Sequence, residues 1–174
     1  MNSPNATPNN LRDLFYPEQL TLWGMRFWSD GLQQNYSPYE TLREAYTRAK
    51  CPEGLLSLDN FLSLVVAGHS RPVDIRCPCC DGISQDEWRL LQSLALAQSG
   101  SELHISDLIS DFLQPATARI ARNVVSGWAG ELKRSGLVVP IRTPVLQAIP
   151  LSHAITKSGV TLKVYSNHQN AMLH

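Results

Sequence analysis

Three of the four cysteines in this 174-residue chain fall within four positions, in Arg76-Cys77-Pro78-Cys79-Cys80-Asp81-Gly82. Proline removes a backbone donor and glycine favours turns, so neither a helix nor a central strand runs through such a stretch. The chain must turn here, and its character changes on either side. Before the cluster lie short, aromatic-rich helical patterns; behind it comes a longer helical array that ends in strand-like segments.

An apolar content of 43% is ample for a packed core in a chain of this length, so disulfide staples are not required for folding. The balance of 15 basic against 15 acidic residues gives no overall pull toward nucleic acid or membrane; contact with either must rest on a local patch. The first ten residues are polar and turn-rich, without the basic and apolar regions of a secretory signal. No apolar run approaches the roughly 18 residues of a membrane span. A cytoplasmic protein with no membrane association is expected, and in a reducing compartment clustered cysteines point to metal or redox chemistry rather than to structural bridges.

Taken in order, residues 1–14 are expected to form a disordered tail. Pro17 opens a helix with Leu20, Trp23 and Phe27 on one stripe and Gly31 as its stop. Leu22, Met25 and Trp28 lie off that stripe, so the helix is apolar over much of its circumference and should be buried or meet a partner. Ser37-Pro38-Tyr39-Glu40 reads as a capping box, starting a helix whose Tyr39, Leu42, Tyr46 and Ala49 share a face. Cys51-Pro52-Glu53-Gly54 breaks it. A third helix from Ser57 carries Leu58, Phe61, Leu62, Val65 and Val66, with Gly68 as its C-cap and His69 just beyond.

Behind the cysteines, Ser84-Gln85-Asp86-Glu87 is a second capping box, and Ile83 and Trp88 are spaced as a hydrophobic staple. A short helix from Ile105 ends before Pro115. A longer one spans about residues 117–135, with Ile120, Val124, Trp128 and Leu132 as its apolar stripe. Residues 137–139, 145–149 and 160–165 read as strands, and residues 166–174 as a flexible tail. Two parts result: a helical part over 15–83 that includes the cysteine-rich connector, and a second part over 84–165.

Cys77-Pro78-Cys79-Cys80-Asp81-Gly82 resembles the zinc-knuckle pattern C-P-x-C-G with the glycine displaced by one residue. That resemblance implies two thiolates aimed at one cation, and tetrahedral zinc needs four ligands. Cys77 and Cys80 lead the candidates, then His69, with Cys51 and Cys79 competing for the last place. An iron–sulfur cluster suits the same ligands, and ordinary thiols remain an alternative. The C-P-x-C spacing is also similar to the active-site motif of thioredoxins and glutaredoxins, which implies redox chemistry at Cys77. The helical N-terminal half lacks the βαβ unit of those folds. No nucleophile elbow, H-E-x-x-H or phosphate loop appears, so a non-enzymatic protein is expected.

The order helix, short helix, long helix, strand, loop, strand over residues 84–149 resembles the winged helix of bacterial transcriptional regulators. Leu103-His104-Ile105-Ser106-Asp107-Leu108-Ile109 and Lys133-Arg134-Ser135-Gly136-Leu137-Val138 carry the likeness. It implies DNA contact through the long helix, where Arg119, Arg122, Lys133 and Arg134 face only Glu131 as a nearby acid. Arg122, Ser126, Ala129 and Lys133 recur at helical spacing and form the expected DNA face. The expected fold is therefore mainly α: an N-terminal helical part, a cysteine-rich metal-binding connector and a winged-helix-like C-terminal part with a few short strands. The expected function is a zinc-stabilised, DNA-binding transcriptional regulator. The competing reading is a zinc-stapled scaffold that binds a protein partner or a second copy through Trp23 and Phe27.

Overall fold

Six α-helices and one short 3-10 turn (Leu11–Asp13) make up most of the described chain, residues 8–142 of a computed structural model. The first helix, α1 (Tyr16–Gln34), begins where the Glu18 carboxylate accepts the Phe15 N–H at 2.9 Å. It continues past the expected stop at Gly31. Asn35 takes the left-handed conformation (φ 56°) and donates its N–H to the Gly31 carbonyl, closing the last turn. Gly31 serves proximity instead: a Cβ there would lie 2.8 Å from the Pro38 ring.

Helix α2 (Tyr39–Arg48) buries Leu42 and Tyr46. It lacks the expected serine cap, because Pro38 itself occupies the cap position in an αR conformation and no side-chain cap bond forms. Helix α3 (Glu53–Gly68) starts ahead of Ser57, since Lys50 turns the chain through the left-handed region (φ 57°) and Pro52 directly precedes the first helical residue. Its buried face, Leu58, Phe61, Leu62 and Val65, is the one the apolar spacing predicts.

Helix α4 (Gln85–Ser99) is buried along most of its length and packs against α1, α5 and α6. Its capping box forms as expected: Ser84 Oγ accepts the Glu87 N–H at 3.0 Å and Glu87 accepts the Ser84 N–H at 2.8 Å. Helix α5 (Leu103–Ile109) is short, residues 110–114 turn the chain, and α6 (Pro115–Arg134) returns across α3 and α4. One apolar core runs through all six helices and crosses the expected boundary between residues 83 and 84.

The buried stripe of α6 differs from the expected one. It consists of Ala118, Ala121, Val125, Trp128, Ala129 and Leu132, while Ile120 is 56% exposed. Close approach is the cause: a Cβ on Gly68 would fall 2.1 Å from the Thr117 hydroxyl oxygen, so α3 and α6 meet where only small side chains fit. Trp128 then anchors the crossing against Phe61, ring centroids 5.9 Å apart. Large apolar residues suggested one face; the tight crossing selected the alanines about one residue further round.

Among the described residues there is no β-strand, only two isolated bridges, Asn10 with Gly82 and His69 with Leu113. The first strand expected of a wing, residues 137–139, does not form, and this segment bonds instead to glutamine side chains of α4. Gln98 donates to Leu137 O (2.9 Å) and accepts Val139 N–H (2.8 Å); Gln92 donates to Pro140 O (3.3 Å) and accepts Arg142 N–H (2.8 Å). With these four backbone groups met by α4, this edge of the segment needs no strand neighbour. The strands expected at 145–149 and 160–165, the end of the long domain at 165 and the tail at 166–174 lie outside the described residues. Residues 8–14, expected within a loose tail, are pinned instead: Leu11 donates to Asp81 O at 2.7 Å and Leu14 is buried.

Candidate cysteine centre and exposed helix face

The cysteine loop is held from beneath by a residue that the sequence patterns did not single out. Arg26, on α1, is fully buried, and its guanidinium makes a two-point ion pair with Glu87: Nε to Oε1 at 2.7 Å and Nη2 to Oε2 at 2.9 Å. The same guanidinium donates to Cys80 O at 2.5 Å and to Gly82 O at 2.6 Å. Glu87 also accepts the Arg76 N–H at 3.0 Å, so the carboxylate and the guanidinium together grip both ends of the loop. A signal for Arg26 was present: it is the one charged residue between Glu18 and Asp30 in a helix apolar nearly all round, and a buried charge demands a partner.

On this frame Cys77 and Cys80 are joined in a disulfide, across a turn closed by Cys80 N–H to Cys77 O at 3.1 Å. Cys79 is an exposed free thiol whose sulfur lies 3.2 Å from that of Cys77. Cys77 and Cys80 themselves are half-buried.

The other two candidate ligands are placed elsewhere. Cys51 is buried in the α2–α3 turn, where a Cβ on Gly54 would touch its sulfur at 2.8 Å, and it packs beside Tyr46. Burial, then the neighbouring Cys51, raises the Tyr46 hydroxyl above its ordinary value. His69 follows α3, with Nδ1 3.0 Å from the Val66 carbonyl and its backbone bridged to Leu113. Among the described residues no three or more His, Cys, Asp or Glu side chains stand together in a way that could hold a metal ion. The five expected ligands thus divide into three on one loop, one in the core and one at a helix end.

A second charged cluster braces the approach to the loop. Arg71 clasps Asp86 at 2.7 and 2.9 Å and also pairs with Asp111; Arg89 bridges the same two carboxylates at 2.9 and 3.0 Å. Burial alone would raise the Asp86 carboxyl, but hydrogen bonds from Arg71, the Asp74 N–H and Arg89 outweigh it and hold the group below the usual carboxylate range. This network ties residues 71–74 to α4 and to the turn before α6.

Of the five residues expected to contact DNA, four are engaged or partly covered. Lys133 donates to Gln98 O at 2.8 Å, Arg134 pairs with Glu131, and Ser126 is half-buried. Ala129 is buried, so the expected face through Arg122, Ser126, Ala129 and Lys133 is interrupted, with Lys133 alone of the four exposed; the rotation of α6 described above is the reason. Arg122 is half-buried, with no partner for its Nε. What α6 exposes is the next stripe round. Ala116, Arg119, Ile120, Asn123 and Val124 line an open depression of about 590 Å³ on the amino-terminal half of the helix. Arg119 makes no ion pair among the described residues, and nothing lies within 4 Å of a Cβ placed on Gly127.

Trp23 and Phe27, the expected partner-binding pair, are half-buried and stack with centroids 5.1 Å apart, with Tyr36 edge-on to Phe27 at 5.8 Å. Trp23 also lines an open groove of about 470 Å³ between α1 and α2, with Leu11, Tyr16, Leu20, Ala45 and Arg48. Among the described residues no helix is long and apolar enough to cross a membrane.

Comparison with protein-family models, with curated proteins and with solved structures returns no match for this chain.

Proposed function

We propose that this chain is a DNA-binding regulatory protein in which α5, the turn at 110–114 and α6 act as a helix-turn-helix. The observation that carries this reading is the uncovered amino-terminal half of α6, backed by α4 and α5 and bearing Arg119, Ile120 and Asn123. A recognition helix presents its first turns to the major groove. Arginine suits the acceptor pair of guanine, asparagine the donor and acceptor of adenine, and an apolar side chain the thymine methyl. Because the chain carries no net charge, phosphate attraction must come from few residues, and a modest salt dependence is expected.

Binding to a pool of random duplexes at low salt, followed by selection of preferred sequences, tests this reading. Arg119→Ala and Asn123→Ala should each weaken binding to a selected site by a factor of about 5–150, the ~1–3 kcal/mol of a base contact. Lys133→Ala should change it little. Equal binding by all three variants, or no retention at low salt, refutes the assignment.

A zinc ion would find Cys77, Cys79 and Cys80 as thiolate donors on the reduced loop, one short of a closed tetrahedral set. Metal analysis of the reduced protein before and after Cys77→Ser tests that addition. The competing scaffold reading is favoured by the groove beside Trp23. Replacing Trp23 and Phe27 by alanine should abolish self-association or partner capture if the groove is an interface; unchanged association speaks against it.

A further inference from the structure

We propose, independently of any DNA contact, that the loop at residues 76–82 is a thiol–disulfide exchange centre for low-molecular-weight disulfides, with Cys79 as the sulfur that meets the small disulfide and Cys77 as the relay to Cys80. Three observations converge on it. Access is graded: Cys79 is exposed, whereas Cys77 and Cys80 are half-buried, and exchange rates depend on access to the attacking sulfur. Cys77 is the common neighbour, bonded to Cys80 and 3.2 Å from the Cys79 sulfur. The loop's anchors involve no sulfur. Arg26 holds Cys80 O and Gly82 O, Glu87 holds the Arg76 N–H, and Leu11 N–H holds Asp81 O. The backbone is therefore presented alike in both redox states, which raises the effective concentration of each sulfur for the next. Cys51, buried in the core, does not compete.

The sequence of bonds is balanced. In the reduced loop the Cys79 thiolate attacks a small disulfide RSSR: a Cys79–SR bond forms, the RS–SR bond breaks and one RS⁻ leaves. The Cys77 thiolate then attacks the Cys79 sulfur, forming a transient Cys77–Cys79 bond and expelling the second RS⁻. Finally the Cys80 thiolate attacks the Cys77 sulfur, the Cys77–Cys80 bond forms and Cys79 leaves as thiolate. Two cysteine thiols are oxidised to one disulfide, RSSR is reduced to two RSH that carry the two thiol protons, and Cys79 returns unchanged.

The test uses the full-length protein, reduced and kept in chelator so that no bound metal masks the sulfurs, with oxidised glutathione as the small disulfide. Samples are quenched in acid over time, free thiols are alkylated and intact masses are read. The wild type should lose two thiols and retain no glutathione. Cys79→Ser should reach the same Cys77–Cys80 disulfide about tenfold more slowly, as loss of the accessible sulfur requires. Cys77→Ser should stop as a lasting glutathione adduct on Cys79. A wild type that gains no disulfide, a Cys79→Ser variant that oxidises at the wild-type rate, or a Cys77→Ser variant that sheds its glutathione would overturn the proposal. Circular dichroism of both variants establishes that they are folded, and neither substituted side chain belongs to the apolar core.

Discussion

The ion pair beneath the cysteine loop lends itself to a quantitative test. Arg26 and Glu87 are both fully buried, and the arginine makes four hydrogen bonds: two to Glu87, one to Cys80 O and one to Gly82 O. Arg26→Met leaves the Glu87 charge with only the Arg76 and Ser84 N–H groups and strips two carbonyls of their donor. Breaking a buried pair by removing one partner costs about 3–5 kcal/mol, roughly a fifth or more of the ~5–15 kcal/mol that holds a domain folded. Glu87→Gln should cost a similar amount, because it leaves the guanidinium charge unmatched. The double variant should cost less than the sum of the two by ~2 kcal/mol, since it removes both charges together. Urea unfolding followed by tryptophan fluorescence measures all three, and an unchanged slope would show that the unfolded reference is unaltered. Arg48→Ala, which breaks only the exposed pair with Glu44, is the control and should cost about 0.3–0.5 kcal/mol. If Arg26→Met lies within ~1 kcal/mol of wild type, or the double variant equals the sum, the buried pair does not hold the loop.

Acid should weaken the fold through Asp86. Its carboxyl is held low in the folded state, so the unfolded chain binds the proton more readily; the stabilisation is complete above the ordinary Asp value of ~3.9 and fades as pH falls through the lower folded value. Asp74, raised chiefly by burial, acts in the opposite sense and loses stability as pH rises through the carboxylate range. Unfolding curves from neutral to acid pH for wild type and Asp86→Asn check this: the variant should be less stable at neutrality and less sensitive to acid. Gln98→Ala should leave Leu137 O and Val139 N–H without their partner, at ~1–3 kcal/mol, and limited proteolysis should then cut within residues 137–142 before the helices. Equal cleavage in both proteins would count against the glutamine ladder.

The sequence was most informative where local chemistry decides the outcome. The Ser84–Glu87 box starts α4 because both of its hydrogen bonds are made by residues three apart, whatever the rest of the chain does. The α3 face was legible because four large apolar residues recur at helical spacing. Errors arose where distant parts meet. The buried face of α6 turns on how closely α3 can approach at Gly68, which no window of α6 contains. Ser37 did not cap α2 because Pro38 took that place. At the candidate site, the spacing of Cys77, Cys79 and Cys80 foretold a loop with its sulfurs together. The positions of Cys51 and His69 depended on the packing of α3, and the contact between Arg26 and Glu87 spans 61 residues, beyond the reach of any local pattern.

The pairing of Arg142 with Glu18 bears on the order in which the molecule is made. Glu18 is wholly enclosed, and both its oxygens receive the Arg142 guanidinium at 2.8 Å, from a partner 124 positions further along the chain. During synthesis α1 leaves the ribosome long before residue 142 does, so this carboxylate has no guanidinium to meet until residue 142 has emerged. Helix α1 is therefore made well before the contact that completes its seat. Until then its apolar sides, Trp23 and Phe27 included, are open to whatever else is near the growing chain.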